Sequence, residues 1–491
     1  MIPVLLILIP LATGLAAFFL KNEKGARSLA LLSSLLTLAV SLLGLTVMKD
    51  AKRLSFSAEW MQGLGSSFSV GLDGMGQLLC LLTAVAYPII FLSTWNSTYK
   101  KAYNFFGLML LAQAGLMGVF LAMDALLFYF FWELALIPVY FLCSQWGGEK
   151  RIAVTFKFFV YTFLGSVLML IGILYVQAHT ADHSFSIDSF YKALLTPKEQ
   201  TWLFWLFFIA FAVKMPIFPF HTWQPDAYEQ SPTATTMVLS GIMVKMGVFG
   251  LLRWLLPVLP MASYSWGDMA SGMAVVGMVY ASLIAIQQDD IKRLIAYSSI
   301  AHIGLMAVAI FSENTMSIQG TMIQMFNHGI NIIGLWIVVE LIERQFGTRK
   351  MSELGGLAQK APTMTILFVV IAFANIALPL TNAFVGEFLM FTGIYNSEVT
   401  KYNVVLTVAA GICIILAAIY TLNMIRKTFY GEEVVLTAGT KDIGISEKLA
   451  LGIIVVLIFW MGVYPQPMLD LTQPATDALM KKIDVLNHIT K

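Results

Sequence analysis

Long apolar runs alternate with short polar connections along the whole chain. A helix rises about 1.5 Å per residue, so about 20 apolar residues match the thickness of a bilayer core. Such runs lie at 2–20, 28–48, 74–95, 104–123, 125–145, 152–178, 202–222, 233–256, 268–288, 291–312, 316–343, 362–395, 401–426 and 447–467. The pattern predicts an all-α polytopic membrane protein of about 14 transmembrane helices. Helices 7 and 12 carry internal prolines, Pro216 and Pro219 in one and Pro379 in the other. Proline removes a backbone donor and frees a carbonyl, so both helices should break there. The breaks lie five helices apart, which predicts two five-helix repeats, helices 4–8 and 9–13. An odd number of helices per repeat inverts the second relative to the first. The expected organisation is helices 1–3 in residues 1–103, the first repeat in 104–256 and the second in 257–430. Helix 14 and a tail then fill 431–491. The connections near 49–73, 179–201 and 427–446 are too short for a soluble domain; hairpins and surface helices both fit them. The N-terminal run lacks a basic leader and reads as a first membrane helix rather than a cleaved signal.

Composition sharpens this picture. Of 491 residues 58% are hydrophobic and 12% charged, about half the charge of a soluble chain. A net charge of +2 leaves no basic surface for nucleic acid. Cys80, Cys143 and Cys413 stand singly in apolar runs, without a CxxC pair for metal, cluster or disulfide. No GxGxxG or Walker A sequence marks a nucleotide site. The connections after odd-numbered helices hold most of the basic residues, about 17 of the 30. Lys21, Lys24, Arg27, Lys100, Lys101, Lys150, Arg151, Lys292 and Arg293 are examples, against Lys49, Lys52 and Arg53 opposite. Those connections should be cytoplasmic, with both termini outside.

A few charged residues lie inside the apolar runs, where each costs about 2.5–3.5 kcal/mol on insertion scales. Lys214 precedes the helix-7 break and Lys245 sits in the middle of helix 8. Glu133 lies in FYFFWELALIPVYF of helix 5 and Glu387 follows the helix-12 break. His302 and His328 lie in helices 10 and 11, near Ser298, Ser299, Asn327 and Asn331. Each has a plain structural reading: an interfacial carboxylate for Glu133, a snorkelling lysine for Lys245, satisfied hydrogen-bonding histidines, a packing carboxylate for Glu387. The functional reading joins them. Glu133 partners Lys214, and moving one switches the protonation of the other, while histidine exchanges protons near neutral pH. No spacing among them suits a metal. His221, Asp226 and Glu229 read as a solvated loop after helix 7. Asp289, Asp290, Lys292 and Arg293 read as a topology-anchoring loop.

FFWELALIPVYFL, FAVKMPIFPFHTWQPDAYEQSPT, KRLIAYSSIAHIG and FVGEFLMF match, in order and over nearly the whole chain, the pattern of a known family. The chain resembles the antiporter-like proton-pumping subunits of respiratory complex I, a family shared with multisubunit cation/proton antiporters and membrane-bound hydrogenases. The resemblance implies roles for six residues. Glu133 and Lys214 match the glutamate–lysine pair of helices 5 and 7, and Lys245 the central lysine. His302 and His328 match the histidines that continue the axis, and Glu387 the terminal residue. It also implies no cofactor in this chain, with NADH, FMN, iron–sulfur clusters and quinone in partner subunits. The implied neighbours are the antiporter-like subunits L and N, in a bacterial inner membrane. Glu387 stands where those two usually have lysine, and the chain should end soon after helix 14 without the long lateral helix of L. Helix 12 reads ALPLT where relatives often read GLPGT, so Ala377 and Leu380 replace glycines. The helix-7 connection reads HTWQPDAY where HTWLPDAH is commoner. A cation/proton antiporter subunit and a non-pumping hydrogenase scaffold are the alternatives; a lysine at 387 would have favoured the first, and the intact set of buried charges speaks against the second.

Overall fold

The computed structural model describes residues 1–47 and 51–490. The helices are α1 (Ile2–Ala17), α2 (Glu23–Thr46), α3 (Gly74–Ser93), α4 (Ala102–Leu121), α5 (Ala125–Trp146) and α6 (Arg151–Ala178). They continue with α7a (Pro197–Lys214), α7b (Trp223–Gln230), α8 (Thr233–Leu255), α9 (Pro260–Gln287), α10 (Ile291–Phe311) and α11 (Thr315–Phe346). The last are α12a (Pro362–Asn375), α12b (Asn382–Tyr395), α13 (Asn403–Phe429), α14 (Ile445–Val463) and α15 (Gln466–Thr490). Among the described residues 11 helices are long and apolar enough to cross a bilayer. Three predicted spans take another form: α1 has 16 residues, and α7 and α12 are each broken in two. Helices α3, α4, α8, α10 and α11 are buried over most of their length, while α2, α6, α9, α13 and α14 show much of theirs. In helices 4–8, α4 packs on α5 and α6 on α7a; in helices 9–13, α9 packs on α10 and α11 on α12.

The breaks stand because the freed backbone groups find partners, as they must in lipid. After Lys214 the chain turns through Pro216 and Pro219, and the Trp223 indole N–H donates to the Val213 carbonyl at 2.9 Å. Residues between α12a and α12b leave the helix with Ala377 at φ 56° and Leu380 at φ 74°. Both have left-handed backbone despite their Cβ atoms, so replacing the glycines has not kept helix 12 wound. The strain is about 1–2 kcal/mol at each. Asn327 and Asn331 of α11 hold the start of α12b, donating to the Asn382 carbonyl at 2.8 Å and to its Oδ1 at 3.0 Å.

The connection at 49–73 contains a hairpin, β1 (Ser55–Met61) antiparallel to β2 (Ser66–Gly71); Lys49 lies outside the described residues. The hairpin joins the 179–201 connection through Phe185 N–H to the Gly65 carbonyl, 3.1 Å. The tail after helix 14 is itself helical. It forms the 25-residue α15, which packs against α3, α9 and α11. Its polar positions recur with helical spacing, and its apolar stripe is too thin to cross a bilayer. The hairpin, the 179–201 connection and α15 share one face of the bundle.

The opposite face corrects a further reading. His221 is buried, and Asp226 and Glu229 lie on α7b rather than in a solvated loop. Asp226 pairs with Lys157 (2.9 Å) and Arg293 (3.1 Å), and Glu229 with Arg293 (2.7 Å) and Arg349 (3.0 Å). Arg349 also meets Asp290 at 2.5 Å, and Lys292 meets Glu343 at 2.6 Å. Charges far apart in sequence thus form one network that ties α6, α7b, α10 and α11 together. That shared network, rather than any isolated pair, is what makes surface charges contribute.

Candidate functional site

Lys214 is the last residue of α7a, so its charge sits where the broken helix exposes its carbonyl end. The side chain is buried, and its Nζ has no hydrogen-bond partner. It lies 5.2 Å from the centre of the Trp132 ring, a cation–π contact of about 2 kcal/mol when desolvated. Glu133 is the next residue on α5, half-buried, with Oε1 unpaired. The two feel each other's charge, but no hydrogen bond or ion pair within 4 Å joins them. The expected pair is therefore open. Trp132 holds the lysine on one side of α5, while Glu133 turns to a groove of about 340 Å³ lined by Trp60, Phe130, Leu134 and Ile137.

Helix α8 is wholly buried and departs twice from α geometry, with π turns at Leu239–Met243 and Leu251–Leu255. Lys245 begins the α-helical segment between them. Its Nζ donates to the Ser240 carbonyl at 2.8 Å and lies 2.8 Å from His328 Nδ1. π turns occur mostly at functional sites; here the turn leaves a carbonyl that the lysine uses. A protonated Lys245 makes Nδ1 of His328 the acceptor, which puts the ring proton on Nε2. That nitrogen faces Ser299 Oγ at 3.4 Å. Snorkelling, the plain reading of Lys245, does not occur.

The His328 and His302 rings are 5.6 Å apart between centroids. His302 Nδ1 lies 3.3 Å from Glu387 Oε1, and Gln324 Nε2 reaches the same oxygen at 3.4 Å. Asn375, the last residue of α12a, lies 3.4 Å from His302 Nε2. A cavity of about 20 Å³, lined by His302, Glu387, Cys413 and Tyr420 among others, adjoins the pair; that holds about one water. Lys245, His328, His302 and Glu387 thus form one buried series across α8, α11, α10 and α12b. The chemistry available is proton exchange between neighbouring bases along this line.

Lys214 and Lys245 share no hydrogen bond, so the six residues divide into an open group and a connected one. Sequence reasoning missed Trp132, Ser240, Gln324, Asn375 and Tyr420. Asn375 precedes the Pro379 break and was findable as a polar residue in an apolar run. Tyr420, which donates to Ser298 Oγ at 3.0 Å, carries no such signal. Among the described residues no three His, Cys, Asp or Glu side chains gather in a way that would hold a metal ion, and the three cysteines are free and buried.

Residues 122–416 match the family described as NADH:quinone oxidoreductase/Mrp antiporter, TM. That stretch contains all six residues. The chain is 37% identical over 475 residues to NADH-quinone oxidoreductase subunit M of Rhodobacter capsulatus, covering 94% of this chain and 91% of the relative. It is 34% identical to F(420)H(2) dehydrogenase subunit M of Methanosarcina mazei, covering 98% of both. A chain of respiratory complex I from Thermus thermophilus, solved with bound NADH, superposes with a TM-score of 0.91 at 28% identity, covering 98% of this chain and all of that one. This membrane protein, a component of a multisubunit complex, belongs to the NADH:quinone oxidoreductase/Mrp antiporter family and within it to the antiporter-like, proton-pumping subunits M of complex I.

Proposed function

We propose that Lys214, Lys245, His328, His302 and Glu387 carry protons laterally through the membrane, and that Glu133 controls the first of them. The observation that supports this most is the connected series from Lys245 to Glu387. Buried charges are costly, and in this series Lys245 touches His328 and His302 touches Glu387 rather than a fixed counter-charge. The chain acts as a non-redox subunit. NADH, FMN, iron–sulfur clusters and quinone belong to partner subunits, and redox chemistry there drives the transfer. Glu133, which opens on a lateral groove, receives the signal from a neighbouring antiporter-like subunit of the L or N type. The membrane is the bacterial inner membrane, with the hairpin, α15 and both termini outside, and the two repeats are 104–256 and 257–430.

The donor of electrons is a property of the partners. Relatives of similar identity carry NADH-quinone oxidoreductase and F(420)H(2) dehydrogenase names, which fits a membrane subunit indifferent to the input module. The test is proton uptake into membrane vesicles driven by the physiological donor, normalised to assembled complex. Lys245→Met should assemble and pump at background. Pumping at the wild-type rate would remove the central lysine from the path and sink the proposal.

A further inference from the structure

On the hairpin face, away from the proton series, Arg253 ends α8 in a buried position, 8% exposed. Its Nη2 meets Asp73 Oδ2 at 2.5 Å, and its guanidinium lies over Phe249 at 5.3 Å. Asp73 is already engaged elsewhere, since Oδ1 caps α3 by accepting from Gly76 N–H at 2.8 Å. Nε of Arg253 has no hydrogen-bond partner. Nε is closed off by the packing, as are other polar atoms of the bundle, and the guanidinium meets open space only through the rest of its surface.

A cavity of about 110 Å³ adjoins it, several times the share of liquid volume of one water, about 30 Å³. Asp73, Tyr191, Arg253 and Lys482 supply its polar wall. Lys482, from α15, has no carboxylate within 4 Å among the described residues, and its Nζ lies 3.4 Å from the centre of the Tyr191 ring. Tyr191 is fixed by donating its hydroxyl to the Arg253 carbonyl at 2.9 Å. Two cations and one carboxylate leave one positive charge facing the cavity. The remaining wall is apolar, with Met75, Leu252, Met322 and Leu479.

We infer that Arg253, Lys482 and Tyr191 form a site for a singly charged phosphate group, with an apolar substituent lying on the methionine and leucine wall. The guanidinium supplies planar donors suited to a tetrahedral oxyanion, and the ammonium supplies a mobile point charge. A bound phosphate bridges α15 to the end of α8. The same chemistry is offered by a phosphodiester of a membrane lipid and by inorganic phosphate.

The test uses the assembled complex in discs of zwitterionic phosphatidylcholine, doped with a phosphatidylglycerol analogue photoreactive near its phosphate. Peptide mapping should find label on the segments containing Tyr191 and 475–482. Lys482→Gln should cut that label about tenfold, the loss of about one charge-assisted hydrogen bond, while label elsewhere on the complex stays constant. Lys482→Arg should retain it. Competition by unlabelled phosphatidylglycerol identifies a lipid as the natural source; competition by inorganic phosphate identifies the free ion. Label that ignores both competitors, or survives Lys482→Gln undiminished, overturns the site. The readout needs no electron donor, so it stands apart from the proton-transfer proposal.

Discussion

Lys245 and Lys214 are both buried lysines on adjacent helices, yet their surroundings differ. Lys245 has a carbonyl at 2.8 Å and an imidazole nitrogen at 2.8 Å, and beyond it the polar line runs on to Glu387. Lys214 has an aromatic face, no hydrogen-bond acceptor, and a carboxylate held out of contact. Three of the four helices of the connected stretch, α8, α10 and α11, are buried nearly end to end, while α12b buries the side that carries Glu387. The open stretch lies where α7 is broken and where α5 reaches the lateral surface. The contrast teaches that, on the proposed reading, one part of the row is closely spaced for transfer, while the other lacks contacts that a movement of α5 or α7 would complete. On the proposed reading, control belongs at the open end.

The largest effects should come from breaking the connected stretch. Glu387→Gln preserves size but removes titration, so donor-driven proton uptake should fall at least about tenfold with assembly intact. Glu387→Lys restores a titratable group and should retain more activity than Gln or Ala. Uptake at the wild-type rate by the Gln variant would take Glu387 out of the path.

Lys214→Arg should be nearly as damaging, because a guanidinium keeps its proton at any usable pH. Its more delocalised charge still fits over Trp132, so the complex should assemble. Normal pumping by this variant, measured in the same vesicles, would exclude a deprotonation step at 214.

Smaller effects should come from Glu133, since it does not touch Lys214. Glu133→Gln should slow turnover partially, and Glu133→Asp less. Combining Glu133→Gln with Lys214→Met should give less than additive losses, with a coupling near the low end for interacting residues, about 0.5 kcal/mol. Strict additivity would separate the two residues functionally and leave the contrast between the halves without a control element.

The smallest effect concerns the helix-12 break. Leu380 is 66% exposed, so its side chain contributes little packing there, yet its backbone is left-handed. Leu380→Gly should relieve about 1–2 kcal/mol of strain and lose part of that to the added freedom of the unfolded chain. Thermal unfolding of the purified complex should be unchanged or shifted slightly upward. A clear drop in stability would mean that the leucine packs against a partner subunit.

Much of this was legible from residues alone. A charge inside an apolar run is conspicuous because lipid penalises it one residue at a time, so Glu133, Lys214, Lys245 and Glu387 stood out without any contact information. Prolines within such runs marked the breaks of helices 7 and 12 for an equally local reason. The connections near 49–73 and 466–490 were less readable. Short alternating or amphipathic segments bury little surface by themselves, and only their docking on the bundle determines whether they form a hairpin or a lateral helix.

Local rules of hydropathy, helix length and proline chemistry therefore determined the mostly helical membrane fold, the broken helices and the identity of the charged residues. The tertiary structure alone decided which of them touch. It joined Lys245 to His328 and His302 to Glu387, kept Glu133 from Lys214, turned a presumed solvated loop into an ion network with Arg293 and Arg349, and set Lys482 beside Arg253. Hydrogen bonds and ion pairs depend on separations of a few ångströms between residues tens to hundreds apart in the chain, and the packing of whole helices sets those separations.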